Sequence, residues 1–294
     1  MSQHPDGVIH DIGYRTYDGP RRGTPAIAAS LFRIGLLNAY GIGRSGKAKA
    51  LPMTLQAVML VPAAILVAIM VTLGLDEGFV DYSSYPSIMQ LVIAIFVAAQ
   101  APVLFSRDLR SGAIVLYLAR PLRAEFFALV RWTSLAVAIF VFVWLPVLVL
   151  YIGAISNEAD ISEQTADLLA ATVGIALLAA VLATVAGLVS ALTTRRGLAV
   201  GAVIVALLLS SGVVTAVQGI ATGEGNDTTA QWAGLFSPFT LVDGVQSGLL
   251  DGTRSAIAGP ESAGMDAVYL LAALAVIGVG LALLVQHYHR QGKR

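Results

Sequence analysis

The sequence predicts an all-α polytopic membrane protein, and three observations carry that prediction. First, 57% of the 294 residues are apolar and only 12% are charged. A soluble domain carries about 25% charged residues, so this chain has too little charge to cover a water-soluble globule of its size. Second, six apolar runs (51–75, 88–105, 132–155, 168–192, 197–220 and 267–285) contain no Asp, Glu, Lys, Arg or His. Each run is long enough to cross a hydrocarbon layer as a helix, which takes about 17–25 residues. Third, the basic residues are sorted: of 18 Lys and Arg, all but Arg254 fall on one side of those runs, and 13 of 18 carboxylates fall on the other. These features exclude a cytosolic enzyme, a disordered chain and, with no cysteine present, a disulfide scaffold.

Residues 1–50 precede the first run. Asp6, Asp11 and Asp18 interrupt the opening stretch and leave no apolar core for a signal peptide, so insertion through the spans themselves is expected. Thr24 can cap a helix with Pro25 at its first position. Ile27, Leu31, Ile34 and Leu37 then recur at helical spacing, which predicts an amphipathic surface helix over 24–40. Residues 41–47, Gly-Ile-Gly-Arg-Ser-Gly-Lys, mimic a phosphate-binding loop. Ala48 cannot take the place of the magnesium-holding Ser or Thr, and a membrane span follows instead of a βαβ unit. The stretch reads as a flexible basic hinge. The six runs then form one domain over 51–294, with Lys and Arg placing both termini in the cytoplasm.

Two connections are long. The 106–131 loop contains Leu109, Ala113, Leu116 and Tyr117 on one helical face, with basic residues at both ends and Pro121 as the stop. A short helix with an apolar body and basic ends suits docking into a groove on a partner; setting topology is the other reading. The 221–266 segment has a helix start at Ser237-Pro238, with Phe239, Val242, Val245 and Leu249 on one face and Gly252 as a stop. It reads as a re-entrant or interfacial element on the side opposite the bases.

Chemistry is sparse. No HExxH, GxSxG or Cys ligand set occurs, and His287 and His289 point to different faces of a helix. The spans hold only neutral polar groups, among them Gln56, Gln90, Gln100, Thr184, Ser211 and Gln218. These can line a pathway for an apolar or amphipathic cargo, with Gln56, Gln90 and Gln100 the leading candidates. They can equally form interhelical hydrogen bonds of about 0.6 kcal/mol each. Gly197 and Gly201 make a GxxxG that permits close helix packing.

Residues 106–112, Ser-Arg-Asp-Leu-Arg-Ser-Gly, followed by 116–122, Leu-Tyr-Leu-Ala-Arg-Pro-Leu, resemble the cytoplasmic loop of ABC-2 type transporter permeases. The stretches 10–14, 17–21 and 235–239 are similar to parts of such bacterial permeases. The resemblance implies a half-transporter in the bacterial plasma membrane, paired with a second permease, identical or a sister, and with two separate ATP-binding subunits that hold ATP and Mg. It makes 24–40 an elbow helix, 110–123 a coupling helix, and 221–266 the outer re-entrant segment. Leu109, Arg110, Leu116, Tyr117, Arg120 and Arg123 are then the ATPase-docking residues. Lipid is the other expected contact and nucleic acid is not, and no cofactor or metal is expected on this chain. An intramembrane enzyme would need an activated nucleophile at membrane depth, which the runs lack. A structural subunit that recruits an ATPase without moving cargo is the third reading.

Overall fold

In the computed structural model, residues 19, 23–43, 45–74, 81–106, 123–157, 160–193 and 195–291 are described. Among them every regular element is a helix. Five helices are long and apolar enough to cross a membrane: Gly46–Leu73, Ala124–Ser156, Ile161–Ala191, Arg196–Gly223 and Ala263–Gln291. The described part is thus all-helical, and the chain is a multi-pass membrane protein.

The elements run as follows. Helix α1 (Thr24–Ala39) is the expected surface helix, but Gly23, not Thr24, is its N-cap. Thr24 is already helical, so its hydroxyl does not cap the end. A turn at 40–43 leads to α2 (Gly46–Leu73). The expected hinge is therefore shorter than 41–47, because Gly46 and Lys47 belong to the first turn of α2. Gly41 sits at φ 67, and a Cβ there would come within 2.3 Å of the Ala48 carbonyl oxygen, so the close turn requires glycine. Gly74, at φ 58, ends α2 in the left-handed conformation.

The second apolar run differs from expectation. It forms a single turn, α3 (Tyr85–Ile88), then α4 (Gln90–Leu104). Met89 between them has φ −94 and ψ 14, outside the helical region. At 15 residues, α4 is about 22 Å long, short of the about 30 Å hydrocarbon thickness. It is also strongly enclosed: Ile93, Ala94 and the whole of 96–102 are buried. The protein surrounds most of α4, with Leu91 left exposed near its start.

The chain continues through α5 (Ala124–Ser156), α6 (Ile161–Ala191), α7 (Arg196–Ile204), a π-helical turn (Val205–Leu209) and α8 (Ser210–Gly223). Two short helices follow, α9 (Asp227–Ala233) and α10 (Pro238–Leu249), and α11 (Ala263–Gln291) closes the described chain. Asp160 caps α6 by accepting from the backbone N–H of Ser162 and Glu163. Asn226 caps α9 by accepting from the Thr229 N–H at 3.1 Å.

The bundle has two chemically distinct ends. At one, His289 on α11 meets Glu125 on α5 at 3.1 Å, and Ser106 donates to the Ser190 carbonyl. Lys47, Lys49, Arg123, Arg131, Arg195, Arg196 and Arg290 belong to this basic end. At the other end, Tyr85 donates to the Met59 carbonyl, and Thr253 donates its N–H to Asp81 at 2.7 Å. Asp81, Glu163, Asp167, Glu224, Asp243, Asp251 and Asp266 gather there, with Arg254 as the basic exception. The sorting read from the sequence is therefore spatial.

Helices α4, α5 and α6 form the centre. Phe96 and Phe142 stack at 4.0 Å between ring centroids, 9° from parallel. Helix α1 lies along α5, where Tyr40 donates to the Ala138 carbonyl at 2.8 Å. Val61, Ile65, Val205, Val213, Leu271 and Leu274 stay exposed on the peripheral helices. An apolar belt of this kind fits a lipid surround and would be an aggregation hazard in water. Close packing depends on small residues. A Cβ at Gly280 would fall 2.1 Å from Thr184 Cγ2, whereas Gly278 has open space. We therefore expect Gly280→Ala to lower the thermal midpoint of the purified protein in detergent, by about 1–3 kcal/mol of overpacking. Gly278→Ala should leave it unchanged or slightly raised; equal effects of the two would contradict this packing.

Candidate functional site

A pocket with polar walls opens at the acidic end, between α3–α4, α8 and α10. It has a volume of about 270 Å³. Its walls include Ser87 and Gln90, Ser211 and Thr215, and Phe239, Thr240 and Asp243. Helix α10 builds one wall because its apolar stripe, Phe239, Val242 and Val245, is buried in the bundle. Leu249, expected on the same stripe, is 46% exposed, since the helix ends there and the chain turns away. Ser237 and Pro238 do start the helix, although the Ser237 side chain makes no capping bond.

Asp243 is the chemical centre of this pocket. It is 4% exposed. Its carboxylate accepts the N–H of Ser255 at 3.1 Å and of Ala256 at 2.9 Å, and the Ser87 hydroxyl at 3.4 Å. The carboxylate therefore ties α10 to both the 255–256 segment and α3. Burial raises its pKa above the ordinary aspartate value of 3.8, and the N–H groups of Ala256 and Ser255 offset only part of that rise. Opposite it, the Ser211 hydroxyl donates to Gln90 Oε1 at 3.0 Å, joining α8 to α4.

The predicted pathway residues thus separate. Gln90 lines the pocket. Gln56 instead donates to the Phe142 carbonyl at 3.3 Å and fastens α2 to α5. Gln100 is buried within α4, away from the pocket. Gln218 bonds the Ala230 and Ala258 carbonyls and holds the acidic-end segment together. Thr184 and Thr172 accept the indole N–H of Trp132 and Trp144 at 2.9 and 3.0 Å. Most of the neutral polar residues therefore serve packing.

Of the docking residues, Leu109, Arg110, Leu116, Tyr117 and Arg120 lie outside the described residues. Arg123 is exposed and immediately precedes α5. His287 and His289 fall on different faces, with the buried Tyr288 between them. Among the described residues, no group of three His, Cys, Asp or Glu is placed to hold a metal ion.

Sequence reasoning missed Asp243. Its only signal was a carboxylate flanked by Leu241, Val242, Gly244 and Val245 in a helix already expected to pack on the bundle. In comparisons with known proteins, no family profile and no curated protein matches the chain.

The raised Asp243 pKa sets a pH dependence. A carboxyl that holds its proton more tightly when folded favours the folded state at low pH. Stability falls as pH rises through the window between the ordinary value and the folded one. We expect the thermal midpoint of the wild type, measured relative to Asp243→Asn, to drop as pH rises through that window. Identical pH profiles would show that the buried carboxyl does not titrate with folding.

Proposed function

We propose that this chain is the permease subunit of an ATP-driven ABC-2 type transporter that exports an apolar or amphipathic substrate. The observation that carries this reading is the fold of 224–262. Between the last two spanning helices, at the end opposite the basic residues, α10 turns back into the bundle against α6 and α11, while α9 lies against α8 with one buried residue, Ala230. The resemblance of 106–122 to the family's cytoplasmic loop and the amphipathic α1 alongside α5 support the same reading.

In this reading the basic end is cytoplasmic, as excess Lys and Arg dictate, and both termini lie there. Helix α1 is the elbow helix. Helices α3 and α4 together make the sixth crossing, with the protein around α4 supplying what its length does not. The 110–123 stretch is the coupling helix that rests on the ATPase. ATP and Mg belong to that partner, because residues 41–47 open a membrane helix rather than a nucleotide fold. A second permease completes the transporter.

The mechanism follows from differential binding. Closure of two ATPases around ATP moves the docked coupling helices, and through α4 and α5 the bundle shifts between conformations. The partner biases that equilibrium only by its unequal affinity for the two states. Cargo meets neutral polar side chains, apolar walls and, at Asp243, one buried carboxyl. The pocket at Gln90, Ser211, Thr215 and Asp243 is the exit-side station.

The chain has no cysteine, so single cysteines report sidedness directly. In intact cells a membrane-impermeant maleimide should label Thr253→Cys and spare Leu116→Cys; labelling of Leu116→Cys from outside would invert the topology. The affinity-tagged wild type should co-purify an ATP-hydrolysing subunit. The double change Leu116→Glu with Tyr117→Glu should cut that recovery tenfold or more while leaving membrane insertion unchanged. Full recovery with the double variant would remove the docking role.

A further inference from the structure

Helix α5 carries a gap in its own hydrogen-bond ladder. Pro146 lies in its interior and has no N–H, so the Phe142 carbonyl, four residues back, has no donor within the helix. The side chain of Gln56 on α2 reaches that carbonyl instead, donating its Nε2 at 3.3 Å. We propose that residues 142–146 are a hinge in α5 and that Gln56 is the latch that holds it shut. The inference does not depend on the transporter reading.

The chemistry of Gln56 is the first argument. The side chain is buried, and its Oε1 has no hydrogen-bond partner. An amide with one satisfied end is a costly way to fill space between two helices, and leucine would fill it with nothing orphaned. What the glutamine supplies is a donor for the Phe142 carbonyl, which hydrocarbon would leave stranded. The bond is single and long, and interhelical bonds of this kind are weak, so it can open without unfolding the bundle.

The neighbouring helices are the second argument. On the basic-end side of the gap, Trp132 donates to Thr184 of α6 at 2.9 Å, and the Ala138 carbonyl accepts the Tyr40 hydroxyl of α1 at 2.8 Å. Within the gap and beyond it, Trp144 and Tyr151 engage Thr172 and Thr165 of α6 at 3.0 and 2.9 Å. Helix α6 is thus tied to α5 on both sides of the gap and follows its bend. Helix α2 is held differently. Beyond the gap it closes tightly on α5 at Gly153, where a Cβ would fall 2.4 Å from Val67 Cγ2. At the gap the bond from Gln56 joins the two helices. A change of bend at 142–146 therefore opens the seam between α2 and α5 on the basic-end side of Gly153, and loss of the Gln56 bond is the step that permits it.

The test places spin labels at Met53→Cys on α2 and Phe126→Cys on α5, both exposed, in the full-length and otherwise cysteine-free protein in lipid nanodiscs. The arm from Phe126 to the gap is about 27 Å of helix, so an added bend of about 20° carries its end up to about 9 Å. Pulsed electron resonance should give one narrow distance with Gln56 in place. Gln56→Leu should add a second distance displaced by several ångström. Combining it with Pro146→Ala, which restores the missing N–H, should return a single narrow distance, because the repaired ladder no longer needs the latch. Gln56→Asn, too short to reach the carbonyl, should behave as Gln56→Leu does and takes its place if that variant does not fold. Unchanged distances on loss of Gln56, or a displacement that persists undiminished with Pro146→Ala, overturns the proposal.

Discussion

Hydrocarbon offers no hydrogen-bond partner, so every backbone N–H and C=O within it must be satisfied by the chain itself. The described part of this protein answers that demand entirely with helices. The same demand reaches the side chains. Thr72, Thr133, Thr184 and Ser210 each donate to the carbonyl four residues back on their own helix. A hydroxyl engaged in this way presents its methyl or methylene to the surroundings and behaves almost as an apolar group. Charges are driven out to the two ends, where water and headgroups are available. The difference between those ends then supplies orientation without any further device.

Within that constraint the packing is uneven, and the unevenness has a mechanical consequence. Helices α5 and α6 are half enclosed, and α4 is enclosed over most of its length. The peripheral helices α2, α7–α8 and α11 expose most of their apolar surface. A central helix gripped by Phe142 stacking and by the Ser106 bond to α6 cannot move alone. A displacement applied near its end at Ser106 passes into α5 and α6 together.

Much of this was legible in the sequence, for identifiable reasons. Hydropathy over a long run is a sum of many small terms, so the five spanning helices were found, but their polar ends were not: α5 starts at Ala124 and α6 at Ile161, well ahead of the runs 132–155 and 168–192. Charge sorting is likewise a property of the whole chain, and it survived into three dimensions. The features that escaped were single-residue or long-range ones. The break at Met89 is a local backbone departure inside an unbroken apolar run. The role of Asp243 depends on Ser255 and Ala256 returning to it through a turn, and that of Asp81 on Thr253, which is 172 residues away. Gln90 and Gln56 look alike in sequence, and only their neighbours separate a pocket wall from a packing bond.

The wide turn at Val205–Leu209 shows how much rests on local winding. Ahead of and through it, the inward-facing residues come at every fourth position: Ala199, Val203, Leu207 and Ser211. In a regular α-helix that spacing drifts by about 40° at each step, about 120° over the three. The looser π winding cancels the drift and keeps all four residues on one side. Beyond it, Val214, Gln218 and Ala221 resume the ordinary three-and-four alternation. Straightened to a uniform pitch, the helix would swing its second half away by roughly a third of a revolution. Ser211 would then leave Gln90, and the pocket at Asp243 would lose a wall. A single slackened coil is thus what keeps the two halves of one rod in phase.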